Sequence, residues 1–252
     1  MIFVVNFFIS SPLVVGILHT EACLKKLAEE KSDLRASGID LLEIRLDALP
    51  HDCPILIEWP LPVIATARDP KEGGLNKLSL TQRQQLLESA LPWVSMIDVE
   101  LCSAKEFSSL IARAREVQRS LILSYHNFHK TPSLAELQEL ATRAHNLGAT
   151  IFKVATMTQS EEELQRLLEF QQLSHPLPVA AMGMGLLGKK SRPLLAAAGS
   201  ALVYGYLYEP LTTMPTPAQW SSKKLAKRIK CMKNRQYLER VLFRSKLDFK
   251  RV

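Results

Sequence analysis

Two side chains of the sequence have the chemistry needed to rearrange bonds next to a carbonyl group, and the first is Lys153. It lies in the apolar run 151–155, Ile-Phe-Lys-Val-Ala. A lysine buried in such a run must be paired with an anion or lose its proton, and a desolvated neutral amine attacks carbonyl carbons. The alternative is a lysine at a strand end whose ammonium group reaches solvent. The run therefore predicts either a nucleophilic amine or a solvated cation.

The second is His126, in the run 124–128, Ser-Tyr-His-Asn-Phe. An unperturbed imidazole has a pKa of about 6.5, which suits a group that both gives and takes protons. A lone histidine at a strand end is more often a structural residue, but its place one β/α unit before Lys153 favours catalysis. Glu43, inside another apolar run, is predicted either to join an internal ion pair with an arginine or, equally, to orient this imidazole. For the neighbouring Arg45 and Asp47 we expect an internal ion pair.

An anion-binding group is predicted near residue 190. Gly183, Gly185 and Gly188 form a glycine-rich segment that is followed by Ser191 and Arg192. Loops of this kind bind phosphate in (β/α)8 barrels, and the guanidinium fork of an arginine matches a carboxylate or a phosphate. Glycine loops are common, so the segment alone is weak support. The alternative for Arg192 is an exposed arginine at the start of a helix.

These residues lie on or directly after short apolar runs that we predict to be strands. Consecutive apolar and β-branched positions are typical of parallel strands that are buried on both faces. The eight predicted strands are 12–18, 41–46, 62–67, 94–101, 121–125, 150–155, 178–183 and 201–206. Amphipathic segments predict helices at 20–36, 104–118, 133–146, 159–172 and 221–233, with Ser160 and Glu163 as a capping box.

Eight β/α units indicate an α/β protein with a single (β/α)8, or TIM, barrel. An open doubly wound sheet is the alternative, weakened because no Gly-x-Gly-x-x-Gly follows the first strand. In a closed barrel, polar residues at the strand ends converge at one mouth. One such marker recurs every 22 to 30 residues: Glu43, Arg68, Asp98, His126, Lys153, Met182 and Tyr204.

The composition is that of an ordinary globular protein, with 252 residues of which 47% are hydrophobic and 23% charged. Residues 220–252 carry a net charge of +10, which leaves −3 for residues 1–219 out of the total of +7. The basic character of the chain therefore does not indicate a nucleic-acid-binding body. The four cysteines have neither paired nor zinc-ligand spacing, which predicts reduced thiols in a cytoplasmic protein.

The first 18 residues are apolar enough to raise a secretory signal or a membrane anchor as alternatives. No Lys or Arg precedes Lys25, and Asn6, Ser10, Ser11 and Pro12 interrupt the run. A signal peptide begins with positive charge, and a membrane span needs about 20 apolar residues. We therefore expect two short buried strands around a turn, and no membrane partner.

Six ordered pieces of the sequence together resemble the type I 3-dehydroquinate dehydratases, enzymes of the shikimate pathway of aromatic amino-acid biosynthesis. The order and spacing of the pieces, over residues 12–219, are more specific than any single piece. The pieces are 43–47 (Glu-Ile-Arg-Leu-Asp), Arg68 with 72–74 (Glu-Gly-Gly), 97–101 (Ile-Asp-Val-Glu-Leu), 124–128, 152–155 (Phe-Lys-Val-Ala), and 182–184 (Met-Gly-Met) with Ser191 and Arg192.

The resemblance implies a hydro-lyase that converts 3-dehydroquinate to 3-dehydroshikimate without a metal or an organic cofactor. It implies that Lys153 forms a Schiff base with the C3 ketone and that His126, held by Glu43, moves the protons. Arg192 would bind the substrate carboxylate. The other substrate-binding residues that it implies are Arg68, Met182, Met184, Tyr204 and Gln219.

Two positions depart from the family's pattern. Tyr204 stands where the family usually has phenylalanine, so it adds a hydroxyl that needs a partner. The lid usually reads Ser-Ala-Pro-Gly-Gln, whereas residues 215–219 read Pro-Thr-Pro-Ala-Gln. This segment keeps Gln219 but lacks the serine, for which Thr213 or Thr216 could substitute.

We expect residues 1–233 to form the barrel and residues 234–252 to be a poorly ordered basic extension. In some organisms the domain is fused to shikimate dehydrogenase, so a fusion and a homodimer are both open, whereas nucleic acid is not an expected partner.

One alternative function is another Schiff-base barrel, such as a class I aldolase, which would share the lysine. A lower-ranked alternative is a non-catalytic protein that binds acidic partners through the basic tail.

Overall fold

Parallel strands alternate with helices in the computed structural model of the chain, which describes residues 12–30, 32–50, 53, 58–208 and 220–232. The strands are β1 (Leu13–Leu18), β2 (Leu41–Arg45), β3 (Val63–Thr66), β4 (Met96–Glu100), β5 (Ser120–Asn127), β6 (Ile151–Met157), β7 (Val179–Met184) and β8 (Leu202–Tyr206). The helices are α1 (Glu21–Glu29), α2 (Leu80–Ala90), α3 (Ser108–Glu116), α4 (Leu134–Asn146), α5 (Glu161–Gln172), α6 (Gly188–Ala197) and α7 (Ser222–Met232). The eight predicted strands are confirmed.

The strands form one sheet whose two edges meet. Each strand from β1 to β6 pairs in parallel with the next, and β8 pairs with β1. Across the remaining seam, the Ala201 N–H donates to the Val179 carbonyl at 2.8 Å. Ser200 also bridges the seam, because its Oγ accepts from the Ala181 N–H and lies close to the Leu202 carbonyl, both at 3.1 Å. The sheet is therefore a nearly closed barrel, and the open doubly wound alternative is wrong.

Apolar side chains fill two regions, one inside the barrel and one between the sheet and the helices. Residues of the inner region include Val15, Ile64 and Ile122, while Leu42 and Ile44 belong to the outer region. Successive residues of a strand point to opposite faces, so the inward face continues every second residue toward the carboxyl end. The polar residues singled out in the sequence lie where this inward face reaches the mouth.

Two helices, α2 and α6, are not predicted by the sequence patterns. Gly188, expected in a loop, is the first residue of α6, and Pro193 lies inside this helix. Proline has no N–H for the carbonyl four residues earlier, which belongs to Lys189. The Trp220 indole N–H donates to that carbonyl at 2.9 Å instead. A contact from outside the helix therefore offsets a residue that locally disfavours it.

Two other helices differ in detail from their predictions. The helix predicted at 20–36 ends at Glu29. Ser160 caps α5 as predicted, but only half of the capping box forms. The Glu163 carboxylate accepts instead from the backbone N–H groups of Gln159, at 2.7 Å, and Thr131, at 3.0 Å.

Several predictions fall on residues outside the described part of the chain. They concern the strand and turn within residues 1–11, the lid with Gln219, and the basic extension 234–252. The division of the chain at residue 233 therefore stays a prediction. Among the described residues, no helix combines the length and the apolar character that crossing a bilayer requires.

Replacing Ser200 with alanine should weaken the seam between β7 and β8. The Ala181 N–H would be left buried without its acceptor, which costs about 1–3 kcal/mol. We expect the free energy of unfolding, measured by urea denaturation, to fall by about that amount. Ser89→Ala, at an exposed position of α2, is the control and should change it by less than about 0.5 kcal/mol. Equal stability of the two variants would contradict this assignment of the seam.

Candidate active site

Four strands each place one side chain into a single layer across the barrel. Glu43, Asp98, Lys153 and Tyr204 lie on β2, β4, β6 and β8, which are alternate strands. Interior layers of (β/α)8 barrels are built from alternate strands in this way. Two residues earlier on the same four strands, the inner region is apolar and contains Leu41, Met96, Ile151 and Leu202. The polar layer therefore lies on top of an apolar core.

Lys153 is the residue that the other three members of this layer contact. Its Nζ lies 2.9 Å from Asp98 Oδ2, 3.2 Å from Glu43 Oε1 and 4.3 Å from the centre of the Tyr204 ring. The residue is 4% exposed, so the alternative of a solvated cation is wrong. Two carboxylates and the face of an aromatic ring offset the cost of burying the ammonium group.

Arg68, two residues after the end of β3, connects this layer to Glu100 of β4 and Ser124 of β5. Its guanidinium lies 3.0 Å from Asp98 and 2.9 Å from Glu100, and it donates to Ser124 Oγ at 2.6 Å. Burial alone would raise the pKa of Asp98, but the charges of Arg68 and Lys153 outweigh burial and hold that pKa well below its usual range. Asp98 is therefore a carboxylate near neutral pH and holds both cations in place.

Arg83, on α2, completes the buried charge network from outside the barrel. It pairs with Glu100 and, at 2.6 Å, with the partly exposed Asp69. Because breaking a buried pair leaves an uncompensated charge, a buried network has to balance its charges. The buried members do balance, with three cations and three carboxylates: Arg68, Arg83 and Lys153 with Glu43, Asp98 and Glu100.

Glu72, not Glu43, contacts the imidazole of His126. Glu72 Oε2 lies 2.9 Å from His126 Nδ1 and accepts from the His126 backbone N–H at 3.0 Å. Glu43 accepts instead from Thr66 Oγ1, at 3.0 Å, and from Lys153. The prediction that Glu43 orients the imidazole is therefore wrong, because Glu43 belongs to the layer of Lys153, below His126. With Nδ1 held by Glu72, Nε2 is the ring nitrogen that can meet a bound molecule.

Two glycines shape the loop after β3 that carries Glu72. Gly73 has a φ of +87°, a conformation that favours glycine, and a side chain on Gly74 would collide with the Arg68 carbonyl oxygen. The Cys102 thiol lies 3.2 Å from the second oxygen of Glu72, Oε1. The sequence signal for Glu72 was therefore present in the Glu-Gly-Gly run, although the run alone assigns it no role.

The predicted ion pair of Arg45 and Asp47 is confirmed, and it anchors the same loop. Arg45 donates to both carboxylate oxygens of Asp47, at 2.9 and 2.8 Å, and to the Gly73 carbonyl at 3.2 Å. Asp47 also accepts from the backbone N–H groups of Arg68 and Leu75, both at 3.1 Å. The pair thus ties β2 to the loop that positions Glu72.

Burial shifts the pKa values of Glu72 and His126 in opposite directions. It raises the pKa of Glu72 to about 7, against the opposing charge of Arg68. Burial and the charges of Arg68 and Lys153 hold the pKa of His126 well below its ordinary value. His126 is therefore a neutral imidazole near pH 7, while Glu72 titrates there. A neutral imidazole oriented by a carboxylate is the form that acts as a general base.

Arg192 is a buried guanidinium without a carboxylate partner among the described residues. It lies inside α6 and is 6% exposed, so the alternative of an exposed arginine at a helix start is wrong. It donates to the carbonyls of Tyr204, at 3.1 Å, Gly188, at 2.9 Å, and Gly183, at 3.3 Å. Burial lowers its pKa to about 10. An anionic ligand would supply the missing negative charge.

Apolar groups line the rest of the barrel interior near Lys153. Met182 and Met184 are buried in the inner region together with Tyr204. The hydroxyl of Tyr204 is buried and has no hydrogen-bond partner among the described residues. The partner that this hydroxyl was expected to need is therefore not supplied by the described part of the chain.

The mouth thus combines a buried amine, a neutral imidazole and a guanidinium that lacks a counter-charge. An amine of this kind can capture a ketone as an imine, and an imidazole can then move a proton at the neighbouring carbon. The guanidinium can hold an acidic substrate in place. The arrangement fits an enzyme that acts on a keto acid.

Comparison with known proteins gives the family of the chain. A family model for type I 3-dehydroquinase matches residues 18–236. The chain belongs to the type I 3-dehydroquinase family. A 3-dehydroquinate dehydratase of Methanothermobacter thermautotrophicus is 37% identical over 199 residues, which cover 74% of this chain and 87% of that protein. The structure of 3-dehydroquinate dehydratase from Geobacillus kaustophilus HTA426 has a similar fold, with a TM-score of 0.77 and 22% identity over 90% of this chain and 93% of that one.

Membership of the type I 3-dehydroquinase family confirms the predicted enzyme class, a hydro-lyase on a TIM barrel. A bifunctional 3-dehydroquinate dehydratase/shikimate dehydrogenase of Arabidopsis thaliana is also similar, with 32% identity over 199 residues, which cover 76% of this chain and 33% of that protein. Fusion to a shikimate dehydrogenase therefore occurs among relatives. The class I aldolase and the non-catalytic binding protein lose their support as alternatives.

The raised pKa of Glu72 predicts how activity depends on pH. Because this carboxyl loses its proton only as the pH rises through about 7, kcat/KM should increase over that range. Glu72→Gln should abolish the increase, since neither its amide nor the neutral His126 titrates there, and should lower kcat by about 10²–10⁴-fold. Glu88→Gln, at an exposed position of α2, should keep the wild-type profile. A pH profile of Glu72→Gln like that of the wild type would contradict the assigned pair.

Proposed function

We propose that the chain dehydrates 3-dehydroquinate to 3-dehydroshikimate through a Schiff base on Lys153, with His126 moving the protons. The observation that supports this most strongly is the buried Lys153 amine, held by Asp98 and Glu43 beneath the His126 imidazole. β5 and β6 are neighbours in the barrel, and Ser124, two residues before His126, is the register partner of Lys153. Both side chains therefore face the same part of the mouth.

The proposed reaction begins with the release of one proton from the Lys153 ammonium to a base in the site. The amine attacks the C3 carbonyl carbon, and the carbonyl oxygen takes one proton from the nitrogen and one back from the base and leaves as water, which gives a protonated imine. The imine withdraws electrons from C2, so His126 Nε2 can remove a C2 proton and leave an enamine. The enamine expels the C1 hydroxyl, which takes the proton from His126 and leaves as water. Hydrolysis of the imine returns Lys153 and releases the product.

The charge network suits these steps because an ammonium group and a protonated imine carry the same charge. Asp98 and Glu43, which neutralise the Lys153 cation, are placed to stabilise the protonated imine as well. The face of the Tyr204 ring adds to this stabilisation. Groups that are already oriented need little rearrangement as the cation forms, which favours the reaction. Glu43 would thus assist through Lys153 rather than through His126.

Arg192 is proposed to bind the substrate carboxylate, since it is the buried cation of the mouth without a carboxylate partner among the described residues. Met182 and Met184 would form an apolar wall that keeps water from the imine. Arg68 is already engaged with Asp98 and Glu100, so its first role would be to position the layer, with a substrate hydroxyl as an added contact. Gln219, outside the described residues, stays a predicted lid contact.

The Schiff base would supply the electron sink, so the proposed reaction uses no metal and no organic cofactor. The proposed substrate is a small anion, which fits the guanidinium and the amine of the mouth. A homodimer and fusion to a shikimate dehydrogenase remain predictions for this chain. A cytoplasmic location stays a prediction from the sequence.

Borohydride reduction in the presence of 3-dehydroquinate should leave a covalent adduct on Lys153, because it converts the imine to a stable secondary amine. Mass spectrometry of the peptide that contains Lys153 measures the adduct. Lys153→Ala should take up none, whereas Lys190→Ala, which removes an exposed lysine paired with Glu161, should label like the wild type.

The same experiment separates the role of His126 from that of Lys153. His126→Ala should still form the adduct but turn over about 10²–10⁴-fold more slowly, since only proton transfer is impaired. Near-normal turnover of His126→Ala, or an adduct on a lysine other than Lys153, would overturn the proposed mechanism.

A further inference from the structure

The odd-numbered strands build a layer that brings His19 into the mouth. Alternate residues of a strand share a face, and Ile17 and Met182 belong to the inner region. Two residues after Ile17 of β1, Thr66 of β3, Ser124 of β5 and Met182 of β7 come His19, Arg68, His126 and Met184. The ring of His19 packs against Tyr206 of the same inner region, with 5.1 Å between the ring centres. His19 therefore shares a level of the mouth with His126 and Arg68.

His19 is buried, and one of its ring nitrogens has no partner. The residue is 2% exposed, and its Nδ1 forms no hydrogen bond within the part of the chain that the structure describes. A buried polar atom without a partner costs about 1–3 kcal/mol. The other two polar members of this layer have partners, Arg68 with two carboxylates and His126 with Glu72. An unsatisfied nitrogen beside them indicates a contact that a bound molecule completes.

The surroundings of His19 favour a hydroxyl as that contact. Burial lowers the pKa of His19, and the charge of Arg45 lowers it further, so the imidazole is neutral. A neutral imidazole has one donor and one acceptor nitrogen. A hydroxyl group satisfies either nitrogen because it both donates and accepts, whereas a carboxylate only accepts. The position of His19 also suits a ring-shaped ligand, because β1 lies opposite β5 in an eight-stranded barrel and His19 thus faces His126 across the mouth.

We propose that His19 is a further substrate-binding residue, whose Nδ1 hydrogen-bonds a ring hydroxyl of a cyclic polyhydroxy keto acid. The proposal rests on the proposed function and deepens it. Lys153 would capture the ketone and Arg192 the carboxylate, and neither of these contacts selects for the hydroxyl groups of the ring. His19 would make that selection from the side of the ring opposite His126.

The variant His19→Phe tests the proposal because it keeps an aromatic ring against Tyr206 and removes the nitrogens. We expect kcat/KM for 3-dehydroquinate to fall about 3- to 10-fold, the effect of one lost hydrogen bond. The urea midpoint of unfolding should stay the same or rise, since carbon replaces an unsatisfied nitrogen. A purely structural histidine predicts the reverse, a lower midpoint with kcat/KM unchanged, and that result would overturn the proposal. His145→Phe, at an exposed position of α4, is the control and should alter neither quantity.

Substrate analogues that each lack one ring hydroxyl identify the contact. For the analogue without the hydroxyl that meets His19, the wild type and His19→Phe should have the same kcat/KM. For the other analogues, the 3- to 10-fold difference should persist. If the difference persists for every analogue, His19 contacts no hydroxyl and the proposal is wrong.

Binding without turnover separates this proposal from the proposed chemistry. Calorimetric titration of 3-dehydroquinate into Lys153→Ala and into Lys153→Ala/His19→Phe measures the contact when no imine can form. A Kd that is 3- to 10-fold higher for the double variant than for Lys153→Ala supports the role of His19 even if the wild type proved to catalyse a different reaction. Equal Kd values would overturn it even if Lys153 is trapped by borohydride as proposed.

Discussion

A lysine cation can be buried in the interior of this barrel only because the charges around it balance. Lys153 lies against Asp98 and Glu43, and Arg68 holds Asp98 from the other side. Removing one charged group from such a network leaves a buried charge unpaired, which costs several kcal/mol. The rest of the site follows from this constraint, because the groups that keep Lys153 in place also fix the direction in which its amine can act.

The polar groups of the mouth fall into two kinds, and the difference relates structure to function. Arg68 has partners in fixed positions, and these contacts shape the site. Arg192, His19 and the Tyr204 hydroxyl are buried but lack such partners among the described residues: a counter-charge for Arg192, and a hydrogen bond for His19 Nδ1 and for Tyr204. Buried groups without partners lower the stability of the free protein, and the free energy gained is greatest when a ligand supplies the missing contact. Their positions around Lys153 therefore outline where a polar, anionic molecule would bind.

Periodicity in the sequence was enough to predict the strands and the barrel, because alternation and β/α spacing are local properties of the chain. For Lys153 it left a buried amine and a solvated cation as alternatives, since the charges that hold the lysine come from other strands. The partner of His126 could not be predicted in this way. Glu72 comes from a loop, and its contact with His126 spans 54 residues. Glu43 has the same chemistry and a better strand position, but it lies in the layer of Lys153. Helix α6 was not predicted because it contains Gly188 and Pro193, which disfavour a helix. Trp220 donates, from outside the helix, to the carbonyl that Pro193 leaves without an N–H.

A double-variant cycle on Asp98 and Lys153 tests most directly whether charge balance holds the lysine in the barrel. Asp98→Asn alone should lower the free energy of unfolding by about 3–5 kcal/mol, because Arg68 and Lys153 lose a shared carboxylate. Combining it with Lys153→Met removes one charge of each sign. Urea denaturation of the four proteins should then show the double variant about 0.5–3 kcal/mol more stable than the sum of the single effects. Additive effects would contradict a lysine held by its counter-charges.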